Sequence, residues 1–184
     1  MSLSHAILGF LSYQPMSGYD LKKVFDESIQ HFWSATQSHI YKELDGLEER
    51  DLVALRAIEQ EGKPDRKEFS LTAEGRAALF EWLAAPLPLE RIRAGWLIQI
   101  FFAHHLSNEQ IVNLLRARRA ALAEKMAELE QVDGIIQQRK AGRGAERERT
   151  AAMWQATLSY GHAHYQAELN WLDGMIQRAE TLPE

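Results

Sequence analysis

The chain has 184 residues, 46% of them apolar, and a formal charge of -5 at pH 7, which is enough length and apolar content for one or two domains with real cores. It has no cysteine, which excludes disulfides, thiolate zinc sites and cysteine nucleophiles and fits a reducing cytoplasm. The start, Met1 to His5, lacks the basic region and long apolar run of a signal peptide, and no segment approaches the roughly 20 apolar residues of a membrane span. The expectation is a cytoplasmic protein with no membrane association.

Leu3, Ile7, Phe10 and Leu11 recur at helical spacing and predict a first helix stopping near Tyr13, ahead of Pro15. Ser17 and Gly18 open a second, with Leu21, Val24, Phe25, Ser28 and Phe32 on one side. Ser34, Ala35 and Thr36 supply a turn and an N-cap for a third. In that helix Ile40, Leu44 and Leu47 form one apolar stripe, so Ser38 and Lys42 lie on the opposite face. Residues 52–59 then read as a strand, 60–65 as a hairpin tip with Gly62 and Pro64, and 66–71 as the returning strand. Helix, helix, helix, strand, basic loop, strand is the order of a winged helix-turn-helix, which offers its third helix to a DNA groove.

Thr72 is placed to cap a fourth helix, with Leu79, Trp82 and Leu83 toward its end. Pro86 and Pro88 then interrupt helical structure. The boundary drawn there gives residues 1–85 as a winged helix-turn-helix domain and 86–184 as a helical dimerisation and effector domain. Ile92, Trp96, Leu97, Ile100 and Phe101 stripe a fifth helix. Ser107 to Gln110 matches a capping box. The helix it opens carries Ile111, Leu115, Leu122, Met126, Leu129, Val132 and Ile136 in near three-four alternation, with Arg118 at the missing step. Residues 142–144 break it, and a last helix over about 146–179 repeats the pattern with Trp154, Leu158, Gly161, Tyr165, Leu169, Leu172 and Ile176. Two such seams form an antiparallel hairpin expected to need a second copy to cover it. The fold class is therefore mainly α with a small β-wing.

Charge cuts against a simple nucleic-acid reading. Residues 1–85 carry nine Lys or Arg against fourteen Asp or Glu, whereas 86–184 carry twelve of each. Positive charge facing phosphates must be local: Lys22 and Lys23 on the second helix, Lys42 on the third, and Lys63, Arg66 and Lys67 in the wing. Gln37, Ser38, Tyr41 and Lys42 are the candidates for the major groove. Gln37 suits adenine edges, and Lys42 guanine or phosphate. Tyr41, at the flank of the buried stripe, is equally a packing residue. The wing cations either touch backbone or minor groove or form a solvated charged face. The acidic first half leaves a second reading open, a dimeric protein-interaction module that does not bind DNA.

Ala6 to Leu11, Ser17 to Lys22, Phe32 to Ser34, Ile40 to Leu44, Leu47 to Glu49 and Leu71 to Arg76 follow one another in an order and spacing that resembles the PadR family of transcriptional regulators, and the resemblance covers nearly the whole chain. In the second half, Leu97 to Phe102, Tyr160 to His162, Trp171 and Leu172 resemble the long helical C-terminal domain of the subgroup that includes the virulence activator AphA. The family pattern has glycine after the acidic run of the third helix. Here Asp51 stands there, which implies an aspartate in a tight helix-to-strand turn. The resemblance implies a homodimer on a pseudo-twofold double-stranded operator, usually a repressor.

Some members of the family respond to phenolic acids or apolar drugs, which implies a small aromatic effector. Tyr19, Arg91, Arg93, Trp96 and His162 are the candidates, with His164 beside the last; cations next to aromatics suit an aromatic carboxylate. Core packing for Trp96 and capping or ion pairing for the arginines compete with that role. No enzyme is expected: there is no HExxH, GxSxG or phosphate-cradling glycine loop. His162 and His164, two apart on a helix, point to different faces, so neither metal nor cofactor is expected.

Overall fold

The computed structural model describes residues 2–30, 32–58, 66–89, 93–139 and 145–183. They form two compact units, residues 1–89 and 90–184. In the first, α1 (Ser2–Leu11), α2 (Gly18–Ser28) and α3 (Gln37–Glu48) precede the antiparallel strands β1 (Val53–Ile58) and β2 (Arg66–Leu71), and α4 (Ala73–Ala84) follows. The second holds α5 (Gly95–Phe101), a 3-10 turn (Ala103–His105) and the long helices α6 (Asn108–Arg139) and α7 (Ala145–Ala179). No described helix is long and apolar enough to cross a membrane.

The helices of the first unit begin where their caps say they should. Ser17 and Asp20 form a reciprocal capping box on α2, and the Thr36 and Thr72 hydroxyls accept from His39 and Gly75 N–H on α3 and α4. The core joins Ile7, Leu8 and Leu11 of α1, Leu21 and Phe25 of α2, Ile40, Leu44 and Leu47 of α3, Val53 and Phe69 of the strands and Leu79 of α4. Helix α1 ends at Leu11, with Tyr13 in the turn that closes it, and one expectation changes: α2 ends at Ser28, where the Ile29 N–H closes on the Phe25 carbonyl. Phe32 therefore leaves the buried side of α2 and is 49% exposed.

Residue 51 is where α3 turns into the wing. Asp51 adopts φ 57, its N–H donates to Glu48 O at 2.9 Å, and the Leu52 N–H donates to Leu47 O at 3.0 Å. That is the hydrogen-bond pattern of a Schellman ending with aspartate in the left-handed position usually held by glycine. The Thr72 hydroxyl donates to the Asp51 carbonyl at 2.8 Å, tying this turn to the start of α4. A Cβ on Gly75 would lie 2.0 Å from the Leu52 carbonyl oxygen, so only glycine lets α4 approach the turn so closely.

The wing pairs Val53 with Leu71 through Ile58 with Arg66. Met16, just ahead of α2, adds a one-residue third strand: its N–H donates to Phe69 O at 3.0 Å, and the Phe69 N–H returns at 2.9 Å. The expected hairpin tip, including Lys63, lies outside the described residues.

In the second unit Ser107 and Gln110 exchange the two hydrogen bonds of a capping box at the start of α6. The apolar seams of α6 and α7 close on each other within one chain: Ile111, Leu115, Leu122 and Leu172 are buried in one cluster and Leu129, Val132 and Leu158 in another. This corrects the ground on which a partner was expected, since the seams do not wait for a second copy. The expected stripe on α5 is also corrected. Ile100 packs against the second-unit core, but Leu97 and Phe101 are 41% and 76% exposed, and Ile98 and Phe102 are exposed with them. Ile92 and the loop at 142–144 lie outside the described residues.

Candidate nucleic-acid interface

Helix α3 buries one side and offers the other. Ile40, Leu44 and Leu47 are fully buried, while Gln37, Ser38, His39 and Lys42 are exposed. The Ser38 hydroxyl shares a 3.0 Å hydrogen bond with the Thr36 hydroxyl. Sequence reasoning passed over His39, which projects from the first turn of the same face; its only signal was its place between Ser38 and Ile40. Rotation of α3 is set partly by Glu43, whose carboxylate accepts from the buried Ser4 hydroxyl of α1, a contact that helical spacing could not reveal.

Tyr41 is 37% exposed, and its ring lies where a side chain on Gly18 would be. A Cβ there would stand 2.6 Å from Tyr41 Cε1 and Cζ. Of the two readings of this tyrosine, the packing one describes its ring, which seats α3 on the first turn of α2.

The basic residues differ in how free they are. Lys22 pairs with Asp26 and Lys23 with Glu27 at 3.9 Å, each one turn along α2, so their charge is partly neutralised locally. The Arg66 guanidinium donates to Asp20 at 2.6 Å. Lys42 and Lys67 are exposed, and neither forms an ion pair among the described residues. The Asp20 carboxyl is held below its ordinary value, first by donation from the Ser17 hydroxyl and then by the Ser17 N–H and the Arg66 charge, against the opposing effect of partial burial.

The effector candidates are divided between the two units. Arg91 lies outside the described residues, Arg93 is exposed, Tyr19 belongs to the first unit and is 66% exposed, and His162 is half-buried on α7. Trp96 does have company: its ring meets Trp171 edge-on at 5.5 Å, and Arg118 stacks over it at 4.5 Å. Arg118 also pairs with Glu168 at 2.7 Å. The cation beside Trp96 is therefore Arg118 of α6. Its one signal in the sequence was a charged residue at the gap in an apolar seam.

Further ion pairs, Arg116 with Glu180 at 2.9 Å and Arg119 with Asp173 at 2.5 Å, fasten α6 to α7 and to the turn that follows it. The Arg119 hydrogen bond holds the Asp173 carboxyl below its ordinary value. Among the described residues no group of three or more His, Cys, Asp or Glu stands together as a metal site.

Three helices, a two-stranded wing and an exposed polar face on the third helix define a winged helix-turn-helix, here followed by a helical hairpin unit. Residues 7–81 match the transcriptional regulator PadR-like family, and residues 92–180 match the virulence activator alpha C-terminal region. The negative transcriptional regulator PadR of Bacillus subtilis is 31% identical over 129 residues, 70% of this chain and 71% of that one. The chain belongs to the PadR-like family of transcriptional regulators.

The probable transcriptional regulator Rv1176c of Mycobacterium tuberculosis is 42% identical over 95 residues, so the match spans 52% of this chain and 50% of that relative. Among solved structures, Bacillus subtilis PadR in complex with operator DNA superposes with a TM-score of 0.82 at 24% identity, covering 97% of this chain and 99% of that one. The same protein in complex with p-coumaric acid gives 0.74 at 23%, covering 98% and 96%. The Vibrio cholerae virulence activator AphA gives 0.73 at 25%, covering 96% of each chain.

Proposed function

We propose that this chain is a sequence-specific DNA-binding regulator of the cytoplasm, a homodimer that represses transcription and has no enzymatic activity. The observation that carries the reading is α3: three fully buried apolar residues on one side, Gln37, Ser38 and Lys42 exposed on the other, and a two-stranded wing directly after it. In this reading Gln37, Ser38 and Lys42 meet base edges or flanking phosphates in the major groove. Lys67 and Lys63 meet backbone from the wing, while Lys22 and Lys23 add weaker positive charge from α2. Tyr41 contributes chiefly by seating α3.

Dimerisation is supported by the apolar side chains left exposed on α5 and its C-cap, Leu97, Ile98, Phe101 and Phe102, since a cluster of this kind marks an association surface. An aromatic acid is the proposed effector. The Trp96, Trp171 and Arg118 group supports it, because an indole pair beside a guanidinium suits a flat carboxylate, and a structural relative is seen with p-coumaric acid.

A gel shift against DNA upstream of the protein's own gene, run at two salt concentrations, tests the reading. Specific binding that weakens as salt rises is expected, because bound phosphates release counterions. No shift and no salt slope would favour the protein-interaction module that the acidic first half allows. Release of that complex by hydroxycinnamates or benzoates tests the effector, and indifference to all of them removes it.

A further inference from the structure

Arg66 opens β2 at the end of the wing nearest its tip, where a cation is expected to touch phosphate. Its guanidinium is already engaged. Nη2 donates to Asp20 Oδ2 at 2.6 Å, and the same oxygen accepts from the Ser17 hydroxyl at 2.6 Å and the Ser17 N–H at 3.1 Å. One carboxylate oxygen therefore joins the cap of α2 to the first residue of β2, across 46 positions of sequence. Three residues further along β2, Phe69 is bridged to Met16 by two backbone hydrogen bonds. The returning strand is thus held to the entry of α2 at two points, one by backbone and one by charge. Between them Lys67 is exposed and has no ion pair among the described residues.

We infer that Asp20 and Arg66 are positioning residues of the DNA-binding unit: together they hold the wing to α2, and Arg66 itself makes no net phosphate contact. This rests on the DNA-binding reading above for its effect on affinity, but the tether itself belongs to the free protein. Charge supports the division of labour. A guanidinium hydrogen-bonded to a carboxylate presents little net charge to phosphate, and turning to DNA would leave Asp20 facing a polyanion alone. Lys67 carries no such cost.

Two kinds of variant separate anchoring from contact. If Arg66 only anchors, Arg66→Gln lowers operator affinity several-fold, while the slope of log affinity against log salt stays that of the parent. Lys67→Ala instead reduces the slope by about 0.9, the value of one lost phosphate contact. Asp20→Asn is the sharper case, since it removes a negative charge near DNA. Simple electrostatics then predicts tighter binding; the anchor predicts weaker binding, by several-fold.

Arg66→Gln leaves the capping box of α2 intact, so it guards against mere unfolding of the helix. Amide exchange of the full-length free protein gives a readout without DNA: both variants should lose protection at residues 56–58 and 66–68 while residues 40–47 keep theirs. A salt slope reduced by Arg66→Gln, tighter binding by Asp20→Asn, or unchanged wing exchange would each overturn the inference. A parent protein that ignores DNA, but whose wing exchange responds as described, would remove the DNA reading and leave the tether standing.

Discussion

The first unit draws all six of its elements into one core, whereas the second packs two long helices on each other and leaves the short helix ahead of them largely uncovered. Eleven buried apolar residues from four helices and two strands, joined by Met16 ahead of α2, meet in one core in the first. The second closes the α6 and α7 seams but keeps α5 and its C-cap exposed at Leu97, Ile98, Phe101 and Phe102. Polar contacts divide in the same way. In the first unit they set local geometry at Ser17, Asp20 and Arg66; in the second, arginines of α6 reach carboxylates of α7 and fasten two long rods. The difference teaches where each unit can be broken: the first through its shared core, and the proposed dimer where α5 leaves apolar side chains uncovered.

Breaking the closed core has the largest expected effect. Leu44→Ala empties a fully buried site under α3 and should cost about 2–5 kcal/mol in denaturant unfolding. Phe101→Ser should do the reverse of this. It removes an exposed ring, so the stability of the isolated chain changes by no more than about 0.5 kcal/mol, yet sedimentation equilibrium should show the dimer giving way to monomer. A Phe101→Ser protein that remains dimeric would move the association surface away from α5.

Lys42→Ala sharpens the contrast from the functional side. It should leave the unfolding midpoint of the first unit unchanged and weaken operator binding by roughly 1–3 kcal/mol if the lysine reads a base. Unchanged affinity and unchanged site preference would remove that role.

Smaller effects follow from two carboxylates. Asp51→Gly relieves a left-handed aspartate and removes a negative charge from the end of α3, so it should raise stability by about 0.5 kcal/mol, the relief partly offset by glycine's backbone entropy. Asp20 gives a pH dependence. Its pKa is lowered in the folded chain, so its contribution is full above the ordinary carboxylate value and fades as pH falls through the folded one. Asp20→Asn should therefore flatten the acid limb of the stability curve below about pH 4 and leave its shape at neutral pH alone.

Local signals in the sequence reached the structure where one short stretch contains both the signal and its consequence. The Thr36 and Thr72 caps, the Ser107 and Gln110 box, the span of β2 and the turn at Asp51 all depend on residues within about five positions of one another. Contacts that join distant segments were not legible. Ser4 reaches Glu43 across 39 positions, Arg66 reaches Asp20 across 46, and Arg118 reaches Glu168 across 50. Periodicity says which side of a helix is apolar, and nothing about which polar side chain another element brings to it. Phe32, Leu97 and Phe101 failed for a related reason: spacing counted them as buried, but α2 ended before the first and nothing within the second unit fully covers the other two, although Trp96 and Ile100 of the same stripe do pack.

The pattern of backbone protection on upstream DNA tests the account most directly. A two-fold dimer carrying one α3 per chain should protect two patches whose centres lie about 10 or 20 base pairs apart on one side of the duplex, one or two turns of ~34 Å. Hydroxyl-radical footprinting that shows a single patch, protection without that spacing, or none at all would contradict it.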